Sequence, residues 1–372
     1  MKLKHLQIDG FRTYAKLELD FSRRLNFITG RNAAGKTNIL EAISILSQGK
    51  SFRGAVDADM IGTAGSAYYL AARFERDGKQ RSCEAACDAG TGQIRRRFKL
   101  DGKQLSGRQG LIGQLVSVVF SPADIMIVDG GPSYRRRFLD MVLSNHDRQY
   151  LEHLVMYNRA LKQRNTILKK MRKGEGRLAD LDPWNAEIAR YAETLIRQRE
   201  KFLVEFTPSF QRALETISGD HDRIRLELLL SQAAEREDFA AALKSQVSRD
   251  TRAGYTTIGP HRHNLGFLAG GGDDDITRHG SQGQKRSLVL ALRFAQYYYL
   301  SEKIGTAPLL LIDDVLNELD SHRRRAFVQL LQESGQAIFT TPELEGLDEL
   351  TERLADDISI YRVVEKGTVE VQ

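Results

Sequence analysis

The sequence is poor in the features that mark secreted and membrane proteins. Its 372 residues include only two cysteines, Cys83 and Cys87, and the residues between them offer no metal-ligand cluster, so we interpret both as reduced thiols. No apolar run approaches the roughly 20 residues that cross a bilayer, and the first residues lack the apolar stretch of a signal peptide. These absences argue against a disulfide-built scaffold and predict a soluble, cytoplasmic protein with no membrane partner.

The charge balance is only mildly one-sided. The chain has 55 Lys and Arg residues against 49 Asp and Glu residues, a net charge of +6, and 41% of its residues are hydrophobic. This length and composition allow a large core and two or more structural units. The positive excess is compatible with a polyanionic partner but does not establish one.

The most informative stretch is residues 30–37, which have the form G-x-x-x-x-G-K-[ST]. In this P-loop pattern, backbone N–H groups and a lysine bind phosphates and the threonine hydroxyl reaches Mg²⁺. Residues 25–29 are predicted to form a strand and residues 38–46 a helix, whose N-terminus then points at the anion. The sequence therefore predicts a nucleotide site made by Gly30, Arg31, Asn32, Ala33, Ala34, Gly35, Lys36 and Thr37.

Two long helices are predicted in the middle of the chain, at residues 147–171 and from 184 past 206. Gly and Pro residues between them break helical structure, so the helices should form an antiparallel hairpin about 40 Å long. Basic residues make the first helix our preferred nucleic-acid face, with an ordinary solvated face as an equal alternative: Arg159, Lys162, Arg164, Lys169, Lys170 and Arg172. Two further basic segments are 135–137 and the rigid turn 259–262. One or two of residues 135–137 could contact phosphate, although solvated surface is the default, and the turn has no assigned role.

Residues 280–286 resemble the signature motif of ABC-type ATPases, usually written L-S-G-G-Q, although Gly280 and Gln282 depart from the commonest residues. They precede a helix predicted at residues 287–298. The resemblance implies that the γ-phosphate of ATP held by a second copy of the chain is bound by Ser281, Gly283 and Gln284. A serine before a helix is also a plain N-cap, and that alternative stays open.

The apolar pattern of residues 309–312 ends in Asp313 and Asp314, as in a Walker B strand. By resemblance Asp313 holds Mg²⁺ together with Thr37, and Asp314 occupies the place where many ABC enzymes have a glutamate that polarises the attacking water. Aspartate is shorter by one methylene, so we expect slow hydrolysis. Residues 340–341 lie at the switch position, where many ABC ATPases have a histidine, and its absence again predicts a weak ATPase.

Residues 317–320 resemble the D-loop that contacts the partner subunit. The order of the four motifs resembles an SMC-like head of the α/β class, an ABC-type ATPase with a P-loop core and an antiparallel β subdomain, split by an inserted α-helical lobe. We expect ATPase lobe I in residues 1–110 and 256–372 and the helical lobe II in residues 111–255. Two copies are needed to complete each site, so ATP should close a homodimer.

The chain resembles the RecF family of bacterial recombination mediators over nearly its whole length. The segments that carry the resemblance are 10–14, 36–43, 51–53, 120–122, 135–140, 259–262, 281–284 and 313–315. The resemblance adds Arg12 and Asn38 to the residues expected to bind ATP. Two departures stand out: Ala33 occupies a position that is often Gly, which matters little if its φ is negative, and His263 and Asn264 replace an acidic pair.

The RecF resemblance implies an ATP-dependent dimer that binds double-stranded DNA near gapped junctions and works with RecO and RecR to place RecA on single strands. An SMC-like structural clamp is one alternative, disfavoured by the short arm and the lack of a hinge domain. An ATPase subunit coupled to a nuclease, like the overcoming-lysogenisation-defect proteins, is another; too few residues follow the predicted D-loop for a catalytic domain. A transporter ATPase is disfavoured by the inserted arm and the missing switch histidine.

Overall fold

A computed structural model provides the structure of the chain and describes residues 1–63, 65–90, 92–219, 223–232, 235, 238–270, 272, 274–332, 334–342, 357–364 and 368–371. The chain divides into two compact units. Unit 1 comprises Met1–Asp124, Thr216–Ser218 and Leu290–Gln372, and unit 2 comprises Ile125–Glu215 and Gly219–Val289. The lobe boundaries expected from the sequence concern the functional organisation of the chain and stay a prediction.

Unit 1 contains two six-stranded sheets among the described residues. The first is antiparallel, and its strands in spatial order are β2 (Tyr14–Asp20), β1 (Lys2–Phe11), β4 (Ala67–Arg76), β5 (Lys79–Asp88), β6 (Arg95–Leu100) and β7 (Lys103–Gln104). Burial alternates along β1, β4 and β5, because one face of this sheet packs on the core and the other meets water. The antiparallel β subdomain expected from the resemblance to an SMC-like head is confirmed.

The second sheet of unit 1 carries the P-loop strand. Its strands in spatial order are β14 (Val369–Val371), β13 (Ile358–Val363), β3 (Leu25–Thr29), β12 (Ala337–Thr341), β11 (Leu309–Asp313) and β8 (Ser117–Phe120). All neighbours are parallel except β13 and β14. The strands β8, β11 and β12 are buried along their whole length, which explains why they read as continuous apolar runs in the sequence.

Helix α1 (Lys36–Gln48) lies in the core that both sheets share. Every residue of α1 except Thr37 is buried, and Ile39 and Ile43 belong to one apolar cluster with Leu70 of β4 and Leu311 of β11. The predicted helix at residues 38–46 is confirmed, with two more residues at each end. A short helix, α2 (Asp57–Met60), follows.

Aromatic side chains join β8 to two further helices, α10 (Gln282–Ile304) and α11 (Ser321–Gln332). The ring of Phe294 from α10 lies 4.9 Å from Phe120 of β8 and 5.0 Å from Phe327 of α11, measured between ring centroids. Helix α10 begins five residues earlier than the predicted start at residue 287, so that start was wrong. Residues 282–286 are polar or glycine and have no apolar periodicity, so the sequence pattern did not show the first turn of the helix.

Unit 2 is mainly helical. Its elements are α3 (Met126–Asp129), α4 (Pro132–His146), α5 (Arg148–Arg172), α6 (Asp182–Ser218, to residue 215), β9 (Ile224–Leu229), α7 (Phe239–Ser245), α8 (Val247–Ala253), β10 (Asn264–Ala269), α9 (Ile276–His279) and the first turns of α10. The side chains of Asp147 and Arg164 contact Gln198 and Asn185 respectively, so α5 and α6 run antiparallel, as predicted. Among the described residues, no helix is long and apolar enough to cross a membrane.

Candidate nucleotide-binding site

The loop between β3 and α1 bends through three residues with positive φ. These are Gly30 at 143°, Ala33 at 65° and Gly35 at 110°. A Cβ atom at Gly30 would lie 2.5 Å from the carbonyl oxygen of Val363, and one at Gly35 would lie 2.7 Å from Oγ1 of Thr13. Glycine is therefore required at both positions by the backbone conformation and by close packing.

Alanine in place of glycine at position 33 would matter little only if the φ angle of Ala33 were negative, and it is positive. Its φ of 65° lies in the left-handed region, where the Cβ atom crowds the following carbonyl oxygen. This conformation costs an alanine roughly 1–2 kcal/mol relative to the right-handed region. The chain thus carries local strain at the exposed tip of the loop.

The side chain of Lys36 folds back onto the backbone of the P-loop. Its Nζ donates to the carbonyl oxygens of Gly30 at 2.7 Å and Arg31 at 3.1 Å. Burial lowers the pKa of Lys36, and the nearby carboxylates of Asp314 and Asp313 oppose that shift. The ammonium group therefore lies between the P-loop backbone and the carboxylates at the end of β11.

The predicted pair of Thr37 and Asp313 is brought together. Oδ1 of Asp313 accepts a hydrogen bond from Oγ1 of Thr37 at 2.7 Å and a second from Oγ1 of Thr340 at 2.8 Å. Thr340 pairs with Asp313 in the parallel register of β12 and β11. The sequence marks Thr340 only as a position without histidine; its place at the end of a predicted strand is the signal that could have found it.

Asp314 directly follows β11 in a left-handed conformation with φ 51°. Its backbone N–H donates to Thr340, and its Oδ1 atom is buried without a hydrogen-bond partner among the described residues. Burial raises the pKa of Asp314; Asp313 adds to the shift and Lys36 opposes it. A buried oxygen with no partner is costly in a folded protein, so this carboxylate is suited to receive a donor such as water.

Arg12 contacts the P-loop helix and not the loop itself. Its guanidinium donates to both carboxylate oxygens of Glu41, Nε to Oε2 at 2.9 Å and one terminal nitrogen to Oε1 at 2.8 Å. Glu41 lies on α1, is fully buried and also accepts from the hydroxyl of Ser51. The sequence analysis missed Glu41, because a glutamate near the start of a helix carries no signal of burial.

Asn38 and the turn before β2 hold the base of the loop. Nδ2 of Asn38 donates to Oγ1 of Thr13 at 3.1 Å, and the hydroxyl of Tyr14 donates to the carbonyl oxygen of Gly35 at 3.2 Å. Tyr14 is buried. Arg31, Asn32 and Ala33 at the tip are exposed, whereas Ala34 is partly buried.

The signature segment lies in unit 2, and its residues cap α10. The backbone N–H of Ser281 donates to Oε1 of Gln284 at 2.9 Å, and the N–H of Gln284 donates to Oγ of Ser281 at 3.2 Å. This reciprocal pair is a capping box, so the N-cap alternative for Ser281 is realised in this chain. Ser281 is exposed and Gly283 lies in the first turn of α10, which leaves this helix end accessible.

Of the six basic residues predicted to form a nucleic-acid face on α5, five are exposed, and the role of this face stays a prediction. Arg159, Lys162, Lys169, Lys170 and Arg172 are exposed. Arg164 is a correction: it is fully buried and pairs with Asp250 at 2.7 Å.

In the predicted D-loop, Val315–Glu318 form a short 3-10 turn and Leu319 is buried, whereas the side chains of residues 317 and 318 lie outside the described part of the chain.

Three features define an ABC-type ATPase head of the SMC kind: a P-loop after β3 of a mainly parallel sheet, two adjacent carboxylates at the end of β11 in the same sheet, and an exposed signature-like helix end. The sequence model of the "RecF/RecN/SMC N terminal domain" family matches residues 2–356. The chain is 38% identical over 370 residues to the DNA replication and repair protein RecF of Leptospira interrogans, covering 100% of this chain and 99% of that protein. The chain belongs to the RecF family.

Other relatives agree with this assignment. The DNA replication and repair protein RecF of Symbiobacterium thermophilum is 36% identical over 378 residues, covering 99% of this chain and 98% of that protein. A solved structure of the recombination mediator protein RecF-ATP in the RecFOR pathway superposes with a TM-score of 0.89 at 30% identity, covering 100% of this chain and 97% of that one. A second, of RecF-ATPrS, has a TM-score of 0.87 at 29% identity, with coverages of 99% and 97%.

Proposed function

We propose that this chain is an ATP-dependent, DNA-binding recombination mediator that uses ATP as a switch. ATP brings two copies together, the pair binds duplex DNA near single-strand gaps, and with RecO and RecR it helps to load RecA. One observation carries the proposal: four polar side chains lie together beside a loop whose conformation requires glycine at positions 30 and 35. They are Lys36, Thr37, Asp313 and Thr340. The similar solved structures, of RecF with ATP or ATPrS in the RecFOR pathway, support the same function.

In this proposal the loop residues 30–37 and Asn38 bind the phosphates of ATP, with Lys36 turning from the carbonyl oxygens of Gly30 and Arg31 towards them. Arg12 stands beside this site and is oriented by Glu41. Ser281, Gly283 and Gln284 of a second copy complete the site, because helix N-termini favour anions. Lobe I, residues 1–110 and 256–372, then supplies the ATPase parts, and lobe II, residues 111–255, supplies the arm.

The oxygen atoms beside Lys36 suit Mg²⁺. Thr37 and Asp313 present a hydroxyl and a carboxylate 2.7 Å apart, which are the hard donors this ion prefers. No group of three or more His, Cys, Asp or Glu residues suited to a metal occurs in the described part of the chain. Mg²⁺ commonly binds through one or two protein oxygens plus substrate phosphates, and it would neutralise phosphate charge here.

Asp314→Asn should slow ATP hydrolysis by about 10- to 100-fold and leave ATP affinity within about threefold, because a positioned general base contributes at least this much to rate. The buried Oδ1 of Asp314 is free to accept from water, and the amide removes the charge that would polarise it. Phosphate release measured at saturating ATP tests this. Asp20→Asn, which changes an exposed carboxylate of the same unit, is the control and should hydrolyse ATP like the unchanged chain. Equal rates for both variants would remove Asp314 from the mechanism.

Light scattering tests the switch itself. We expect a monomer without nucleotide, a dimer with ATP, and a dimer bound to DNA when duplex is added, because each site lacks the residues that a second copy supplies. ADP should not support the dimer, since it has no γ-phosphate for the signature segment. A monomer under all of these conditions would overturn the proposed function.

A further inference from the structure

Two basic segments whose role the sequence did not decide meet in unit 2. A terminal nitrogen of Arg136 on α4 donates to the carbonyl oxygen of His263 at 2.8 Å. Nε of the neighbouring Arg135 donates to Oδ1 of Asn264 at 2.7 Å. The arginine cluster at 135–137 and the turn at 259–262 are therefore parts of one surface, although more than a hundred residues separate them in the sequence.

A buried network holds this turn rigidly. Arg199 is almost fully buried; it donates to the carbonyl oxygen of Pro260 at 2.7 Å and to Asp140 at 2.7 Å. It also donates to Nδ1 of His263 at 3.3 Å, while Nε2 of His263 lies 2.8 Å from Glu235. The ring of His263 thus lies between a buried arginine and a buried glutamate.

The same turn is anchored on α5. The hydroxyl of Tyr157 and Nδ1 of His261 are 2.6 Å apart, and Gly259 has a φ of 116° with no room for a Cβ beside Tyr157. The turn is therefore fixed to both α5 and α6. Side chains that project from it are presented in a constant position, which reduces the entropy cost of binding a ligand.

Arg136 and Arg262 project from this anchored turn region without a carboxylate partner. Among the described residues neither forms an ion pair; Arg136 is held by the carbonyl of His263, and Arg262 by the carbonyl of Thr256. Arg262 is exposed and its Cζ lies 4.7 Å from the ring centroid of Tyr255. Burial lowers the pKa of Arg136, the positive charges of Arg199 and Arg262 add to the shift, and Asp140 opposes it.

The local charge is therefore positive and incompletely balanced. The guanidinium groups of Arg135, Arg136, Arg199 and Arg262 face three carboxylates, Asp140, Glu235 and Asp275. Asp140 is already bonded to Arg199, and Glu235 to His263. An anion placed between Arg136 and Arg262 would relieve the like-charge repulsion, and the planar donor fork of arginine fits phosphate oxygens.

We propose that Arg136 and Arg262 form a contact site for the phosphodiester backbone of nucleic acid. The proposal rests on the proposed function, because it names residues through which the chain would bind DNA. Nucleic acid is favoured over a small anion because α5, which Tyr157 joins to this turn, carries further exposed cations: Arg159, Lys162, Lys169, Lys170 and Arg172. A backbone contact of this kind positions DNA without reading its sequence.

The test is the salt dependence of duplex binding by the full chain with ATP present. Arg136→Gln and Arg262→Gln should each lower the slope of log affinity against log salt by about 0.9, which is about eightfold in affinity at 0.1 M salt relative to 1 M. The double variant should lose both contacts, about 60-fold in all if they act independently. Arg190→Gln is the matched control, because Arg190 is exposed and lies 5.7 Å from the ring centroid of Tyr191 in the same unit.

Four outcomes would overturn the site. If the unchanged chain binds duplex normally and the slope is unchanged in Arg136→Gln, in Arg262→Gln and in the double variant, this site alone is rejected. If the unchanged chain does not bind duplex, the proposed function is rejected as well. Equal losses in the Arg190 control would show a general charge effect. Inorganic phosphate that blocks DNA binding at millimolar concentration and constant ionic strength would instead indicate a small-anion site. Arg136→Lys, which keeps the charge, should retain the slope and thereby exclude a folding defect as the cause.

Discussion

Lys36→Ala should weaken ATP binding by about 100-fold or more, because charge-assisted hydrogen bonds to phosphate contribute about 3 kcal/mol. In the structure Lys36 is buried, and its ammonium group donates to the carbonyl oxygens of Gly30 and Arg31 in the P-loop itself. Calorimetric titration with ATP and Mg²⁺ measures the change. Because hydrolysis is expected to be slow, the titration reports binding with little interference from turnover.

The matched control for Lys36 is Lys79→Ala, which removes an exposed lysine from the same unit. It should bind ATP like the unchanged chain. Thermal unfolding of both variants without nucleotide separates loss of binding from loss of fold, since Lys36 also donates to two P-loop carbonyls. An affinity of Lys36→Ala within threefold of the unchanged chain would mean that the loop is not the phosphate site.

Substitution of Ser281 should uncouple ATP binding from dimer formation. Ser281→Ala should keep the affinity of the monomer for ATP and lose the ATP-dependent dimer seen by light scattering, because the hydroxyl acts on the nucleotide of the other copy. The capping box complicates this variant. Loss of the N-cap costs about 1 kcal/mol of stability and could by itself disturb the start of α10.

Ser281→Asp separates the two roles. Aspartate caps a helix as well as serine does, so the fold should be as stable as that of the unchanged chain. Its negative charge repels the γ-phosphate, so the dimer should still be lost. Ser281→Asp that dimerises normally with ATP would show that Ser281 serves only as a cap, and the assignment of Ser281 to the partner's site would then be wrong.

Together these variants test whether the P-loop is one half of a nucleotide site that a second copy of the chain completes. Unit 1 holds the lysine, the threonine and the Walker B carboxylates, whereas the signature segment lies in unit 2. Lys36→Ala should therefore abolish both binding and dimer formation, and Ser281→Asp only the second. The difference between the two phenotypes is what distinguishes a nucleotide-controlled dimer from an isolated ATP-binding pocket.

The local parts of this protein follow from its sequence alone. The strand before the P-loop, the helix after it, the Walker B strand and the antiparallel helical hairpin were all predicted, because apolar periodicity records which face of an element is buried. The order of the motifs also indicated an SMC-like head, and the combination of matching segments indicated the RecF family. None of these features depends on which distant residue a side chain meets.

The tertiary structure decided the partners of the charged residues. Arg164 looked like its exposed neighbours on α5, but it is buried against Asp250, 86 residues away. Glu41 orients Arg12, and Thr340 supports Asp313, through contacts that only the packing of α1 and the register of β11 and β12 create. Arg136 and Arg262 became one surface in the same way. A charge pattern states how many charges a chain carries, whereas the neutralisation of each one depends on the carboxylate that the fold brings near it.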